Sequence, residues 1–166
     1  RSQRAVMAAP LQAGAPAPLF SLPDADMEPV KLSRFRGRKN VALFFYPRDG
    51  TPSCTLQATD FSDHEADFAR HDCVVIGVSP DDCLCHAEFR DQHGVSICLL
   101  ADTDCEVSHQ YGVCQRRDTA QQGNGRAGFV RSTFIIDKKG CVRHALYGVN
   151  PRGHALEVLA LVRSLD

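Results

Sequence analysis

The sequence predicts an α/β sandwich, a mixed sheet with helices on its faces, in a single domain. Three observations point to it. "VALFFY" at 41–46 and "VVIGVS" at 74–79 are near-continuous apolar runs, as expected of strands buried on both faces. Stretches with helical spacing of apolar residues follow each run, and strand–helix–strand order implies a parallel pair. Late in the chain, "FVRSTFIID" and "CVRHALYG" flank "DKKG", a hairpin signal that adds antiparallel strands.

The remaining elements follow in order. "RSQRAVMAAPLQAGAPAP" has no period and few large side chains, so residues 1–15 read as a flexible arm and 16–166 as the domain. The arm lacks the apolar core of a secretion signal, and Met7 is a candidate start with Arg1 to Val6 ahead of it. "LFSLP" and "EPVKL" read as two short strands joined by "DADM". A helix is expected from Pro52 to about Arg70, with Leu56, Phe61 and Phe68 facing inward. "DCLCHAEFRDQHG" reads as a helix stopped by Gly94, "SICLL" as a strand, and "DTDCEVSHQYG" as a short helix ended by Gly112. "QRRDTAQQGNGRAG" is a polar loop; its glycines lack the strand-then-helix setting of a phosphate loop. "RGHALEVLALVRSL" closes the chain as an amphipathic helix with Leu156, Leu159, Val162 and Leu165 on one stripe. This order is that of a thioredoxin-like sandwich.

Composition narrows the function classes. The 166 residues suffice for one core, and 43% hydrophobic with 23% charged is ordinary for a globular chain. A formal charge of −1 gives no reason to expect a nucleic-acid or membrane-surface partner. No apolar run approaches the about 18 residues of a membrane span. Eight cysteines form no C-x-x-C pair and stand beside strands able to build a core without staples, so most read as reduced thiols in a cytoplasmic compartment. The seven histidines form no metal or relay motif and read as mostly surface residues.

One cysteine has a special setting. In "YPRDGTPSC", Thr51 is a good helix N-cap and Pro52 suits the first helical position, which puts Cys54 in the first turn. Free backbone N–H groups and the positive end of the helix dipole lie there, and both favour a thiolate. The preceding strand ends at the carboxyl edge of the sheet, where open α/β sheets place their ligand crevices.

Pro47-x-x-x-Thr51-x-x-Cys54 after an apolar strand resembles the active-site motif of the peroxiredoxins. "FFYPRDGTPSCTLQ" is most similar to the bacterioferritin comigratory protein, or peroxiredoxin Q, subfamily, and the resemblance continues through "VVIGVS", "LLADTDCEVSHQYGV" and "RSTFIIDKKG". It implies a thiol-dependent peroxidase acting on hydrogen peroxide and organic hydroperoxides. Cys54 is then the peroxidatic thiolate, oxidised to a sulfenic acid. Thr51 orients the peroxide, Pro47 shields the pocket, and Arg131 stabilises the charge. Arg126 and Arg143 are weaker rivals for that last role. The implied partners are peroxides and a thiol reductant such as thioredoxin or glutaredoxin/glutathione. No cofactor is expected, and the chain is expected to be a monomer.

The sequence departs from the subfamily at the resolving positions, which are occupied by Thr59 and Arg90. Cys83 and Cys85 are the leading substitutes, because their helix starts just beyond the carboxyl end of "VVIGVS". Cys73 lies at the other edge, Cys98 is expected to be packed in a strand, Cys114 sits in a loop, and Cys105 and Cys141 are less favoured. A one-cysteine mechanism with an external thiol ranks level with the Cys83 or Cys85 option. Two other classes compete. A metal-binding or redox-sensor module would use "CLCH" with His93 or Cys105. A thiol–disulfide oxidoreductase would need a second cysteine three residues after Cys54, where Gln57 stands.

Overall fold

The computed structural model describes residues 10–114 and 128–165. Its main sheet has five strands in the order β5-β4-β3-β6-β7: β3 (Asn40–Phe45), β4 (Cys73–Ser79), β5 (Cys98–Ala101), β6 (Ser132–Ile136) and β7 (Val142–Tyr147). β3 pairs in parallel with β4, and β4 with β5, whereas β6 runs antiparallel to both β3 and β7. The two short early strands, β1 (Ser21–Pro23) and β2 (Pro29–Lys31), form a separate antiparallel pair, followed by a 3-10 turn at Leu32–Phe35.

Alternation along β3 sorts its side chains between two cores. Ala42, Phe44 and Tyr46 join the face covered by α1 (Pro52–Asp63), α2 (Glu65–Ala69), α3 (Cys83–His93) and α5 (His154–Arg163). Val41, Leu43 and Phe45 face the other way, against Val30, Val107, Tyr111 and Phe134, on the side of α4 (Glu106–Gln110). The predicted sandwich with a mixed sheet is therefore the observed one. Among the described residues no helix is long and apolar enough to cross a membrane.

Several expectations need correction. The single helix from Pro52 to Arg70 is two helices, broken at His64 (φ −106°, ψ 10°). The His64 ring Nδ1 approaches the Asp60 carbonyl at 3.0 Å, while its backbone N–H turns to the Phe61 carbonyl at 3.2 Å. The side chain thus takes the place of the continuing i→i−4 bond. Leu56 faces solvent; the buried stripe is Cys54, Gln57, Ala58 and Phe61. Its i, i+3, i+4, i+7 spacing starts from Cys54 rather than Leu56. Leu156 is likewise exposed, because the inward stripe of α5 is Ala155, Val158, Leu159 and Val162. Two of the seven histidines, His86 and His154, are exceptions to the mostly-surface reading, at 0% and 1% exposure. Cys98 opens β5, half-buried, rather than lying in mid-strand.

Residues 10–15, read as part of the arm, are tied to the hairpin. The Gly14 N–H donates to the Val142 carbonyl at 2.7 Å, the Val142 N–H to the Ala15 carbonyl at 2.8 Å, and the Leu11 N–H to the Tyr147 hydroxyl at 2.8 Å. Residues 1–9 and most of the polar loop, 115–127, lie outside the described residues.

Gly77 in β4 is required by a close approach. A Cβ there would stand 2.8 Å from Phe44 Cζ and 3.2 Å from Leu99 Cδ2. Phe44 cannot yield easily, being stacked on Phe61 with ring centroids 4.6 Å apart and on Tyr46 at 5.5 Å. Gly77→Ala is therefore expected to lose about 1–3 kcal/mol through overpacking. Urea unfolding checks this: the midpoint should fall with an unchanged slope, and an unmoved midpoint would contradict the packing described.

Candidate active site

The sheet topology assembles the site. Because β3 and β4 are parallel neighbours, the turn after β3 and the helix after β4 emerge at the same edge. β6 is antiparallel, with Ser132 opposite Phe45, so its first end lies at that edge too. Arg131, one residue earlier, is thereby delivered beside the turn that leads to Cys54.

Thr51 occupies the N-cap position of α1 and Pro52 its first turn, as the sequence predicted. The capping hydrogen bond is absent, however. Thr51 Oγ1 instead donates to the Arg48 carbonyl at 3.2 Å, which leaves its lone pairs free to accept. Cys54 is 1% exposed, in the first turn. Pro47 is half-buried in the connecting turn.

Arg131 binds two partners at once. Its Nη2 donates to Cys54 Sγ at 3.3 Å and its Nη1 to Gln57 Oε1 at 2.7 Å. Its own carbonyl accepts from the N–H groups of Gly148 and Val149, both at 3.0 Å, which fixes its backbone to the far side of the hairpin. The rival Arg143 sits on β7 3.7 Å from Asp137, with its side chain 48% exposed, while Arg126 lies outside the described residues. Gln57 was missed by sequence reasoning, although it stands one turn after Cys54 on the same face. It is 1% exposed, and its Nε2 has no hydrogen-bond partner. At the start of α5, His154 Nε2 meets Thr133 Oγ1 at 2.8 Å. Burial pushes the His154 imidazole down from its usual value, against the opposing pull of Glu157 3.0 Å from Nδ1, and the Arg131 charge adds to the lowering.

No disulfide joins any two of the eight cysteines among the described residues. Burial pushes Cys73 up to about 12 and Cys98 up to about 11. Cys85 is pushed up to about 12 by burial and by the Asp81 and Asp49 carboxylates, and it donates to Asp81 Oδ1 at 3.7 Å. Cys83 is also raised, by burial and then by Asp82 and Asp24. Cys105 and Cys114 are fully buried, and Cys141 is half-buried. The ligand atoms of Asp49, Asp81 and Cys85 lie within 4.8 Å of one another, a grouping different from the "CLCH" cluster with His93 or Cys105.

A thiol at a helix start, bound by a guanidinium, is suited to attack on an electrophilic oxygen. Comparison with known proteins agrees. Residues 13–145 match the AhpC/TSA family. The chain belongs to that family. It is 39% identical over 149 residues to a putative peroxiredoxin bcp of Helicobacter pylori, covering 90% of this chain and 96% of that one. It is 36% identical to peroxiredoxin Bcp of Bacillus subtilis, covering 94% and 98%. Among solved structures, peroxidoxin BcpB of Mycobacterium tuberculosis superposes with a TM-score of 0.82 at 29% identity, covering 94% of this chain and 99% of that one. Peroxiredoxin Q of Xanthomonas campestris gives 0.78 at 28% identity, covering 87% and 90%. Such peroxiredoxins are thiol-dependent peroxidases, and the chain is an enzyme of this class, with peroxides as substrates and thiols as reductants.

Proposed function

We propose that Cys54 is the peroxidatic residue and that Arg131, Thr51 and Pro47 serve it. The observation that carries this reading is the 3.3 Å contact from Arg131 Nη2 to Cys54 Sγ. The Cys54 thiolate attacks one peroxide oxygen; an S–O bond forms and the O–O bond breaks. The departing oxygen leaves with the electron pair and takes a proton to become water or an alcohol, and Cys54 becomes a sulfenic acid. Arg131 steadies the negative charge as it moves from sulfur to the leaving oxygen. Thr51 accepts the peroxide hydrogen and aligns the O–O bond. Pro47 limits water at the pocket mouth. The substrates are hydrogen peroxide and organic hydroperoxides.

Recycling has two readings. Cys83 and Cys85 stand at the start of α3, at the sheet edge that also carries Cys54. A bridge requires Cα atoms within about 7 Å, so a helix start must loosen first. While burial and then the Asp81 and Asp49 carboxylates hold the Cys85 thiol protonated, it is a poor nucleophile; it gains reactivity only on leaving that setting. The alternative is a one-cysteine cycle in which an external thiol attacks the sulfenic acid. In either cycle a thioredoxin, a glutaredoxin or glutathione supplies the electrons, and the enzyme works as a cytoplasmic monomer.

One experiment tests both levels. The protein is oxidised with one equivalent of hydrogen peroxide, with and without a diketone that traps sulfenic acids, and every cysteine peptide is mapped by mass spectrometry. The trap should label Cys54. A label on other cysteines with Cys54 untouched would overturn the reading. Without the trap, a Cys54–Cys83 or Cys54–Cys85 peptide that disappears in a Cys83→Ser, Cys85→Ser double variant establishes the internal route. Sulfenic or sulfinic Cys54 with no bridge in either protein establishes the one-cysteine route.

A further inference from the structure

The turn before Cys54 is pinned from within by one side chain. Of its residues, Arg48 and Gly50 are exposed, whereas Asp49 points inward, with its side chain only 2% exposed. Gly50 has φ +83°, a conformation other residues rarely adopt, and this lets the chain double back toward Thr51. Every polar group of the Asp49 side chain is engaged. Oδ1 accepts from the Tyr46 hydroxyl at 2.6 Å and Oδ2 faces His86 Nδ1 at 2.6 Å. Its backbone N–H donates to Asp81 Oδ2 at 2.7 Å, and the same oxygen accepts from Ser79 Oγ at 2.7 Å.

His86 is the distal anchor of this network. Its Nε2 donates to the Leu100 carbonyl at 2.9 Å, so one imidazole links the turn after β3 to both α3 and β5. The second ring nitrogen, Nδ1, meets the Asp49 carboxylate in a wholly buried pair. Such a pair is a poor way to gain stability, because desolvation offsets most of its attraction. It is a good way to fix a position, because both ends must meet in one geometry. Burial and the Asp49 carboxylate hold the Tyr46 phenol far above its usual range, so it remains a donor to Asp49.

Pro47 and Thr51 stand two residues to either side of Asp49. We infer that His86 is a positioning residue for the peroxidase reaction: through Asp49 it holds the turn that presents Pro47 and Thr51 to a peroxide approaching Cys54. The inference rests on Cys54 being the peroxidatic residue. A displacement of about 1 Å in such a group costs on the order of 100-fold in rate.

The test compares two reactions of the same sulfur in the full chain. Peroxide oxidation of Cys54, followed by stopped flow, needs the oriented turn. Alkylation of Cys54 by iodoacetamide, followed by mass spectrometry of its peptide, needs only a reactive sulfur. In His86→Ala the peroxide rate constant should fall at least tenfold, while alkylation is not slowed. Two further variants carry the test should His86→Ala fold poorly. In Asp49→Asn the amide can donate to a neutral His86 ring and still accept from Tyr46, so at least half the peroxide rate should remain. In Asp49→Ala it should fall at least tenfold. A peroxide rate within twofold of wild type in both alanine variants would overturn the inference, as would an equal loss in both reactions. Failure of the wild type itself to oxidise at Cys54 would overturn the underlying assignment instead.

Discussion

Cys54→Ser is expected to reduce peroxide consumption to that of a sample without enzyme. Serine is close in size to cysteine and offers an oxygen that can accept from Arg131, so the 1% exposed site should remain filled and the fold intact. What is lost is the proposed nucleophile, because a hydroxyl is far harder to ionise and is intrinsically less nucleophilic than a thiol. Four of the other thiols are poorly placed to substitute. Cys73, Cys85 and Cys98 are pushed up to about 12, 12 and 11 by burial first of all, and Cys83 is also raised. Peroxide disappearance with a dithiol reductant is the measurement, with circular dichroism to confirm folding. Full retained activity in a folded variant would show that another cysteine carries the reaction.

Arg131→Met is expected to slow oxidation of Cys54 by roughly 10²–10³-fold, the cost of removing one preorganised donor from a developing charge. Two effects combine. The sulfur loses the 3.3 Å donor, and on the proposed mechanism the departing oxygen loses the guanidinium charge. Gln57 also loses the partner of its carbonyl, on a side chain whose Nε2 already has none. A fall in stability of about 1–3 kcal/mol should therefore accompany the loss of rate. Arg131→Lys should rescue little, since a single ammonium cannot reproduce a planar fork serving a sulfur and an amide together. Thr51→Val should slow the same step, leaving stability less affected because Thr51 donates only to a carbonyl in its own turn. Stopped-flow oxidation and thermal unfolding separate these effects, and unchanged oxidation rates in both Arg131→Met and Thr51→Val would remove both residues from the mechanism.

Most of what is local in this site was legible in the sequence. Thr51, Pro52 and Cys54 stand within one turn, and capping chemistry is written in neighbouring residues. The sheet was also legible, because strands buried on both faces leave unbroken apolar runs. The failures share a cause. Leu56 and Leu156 were placed inward by hydrophobicity, yet the helix stripes follow contacts with the sheet, which admit Gln57 and exclude Leu56. The break at His64 depends on a ring bonding its own helix, a choice that helix periodicity does not register. Asp49 and His86 are 37 residues apart, and each alone reads as an ordinary surface residue. Only the parallel pairing of β3 with β4 brings them together. Arg131 was found through resemblance, since nothing local to "VRSTFII" signals that its guanidinium reaches Cys54.

The pairing of Cys54 with Arg131 spans 77 residues, and this separation has a consequence for biosynthesis. At about 5–20 residues per second, Cys54 leaves the ribosome roughly 4–15 s before Arg131 does. Through that interval the sulfur has no guanidinium beside it, and β6 has not docked on β3 to supply one. On the proposed role of Cys54, a nascent chain therefore carries this cysteine through synthesis as an unremarkable thiol, and its peroxide reactivity is switched on by completion of the fold. On that reading, the enzyme is protected from its own substrate for as long as it is unfinished.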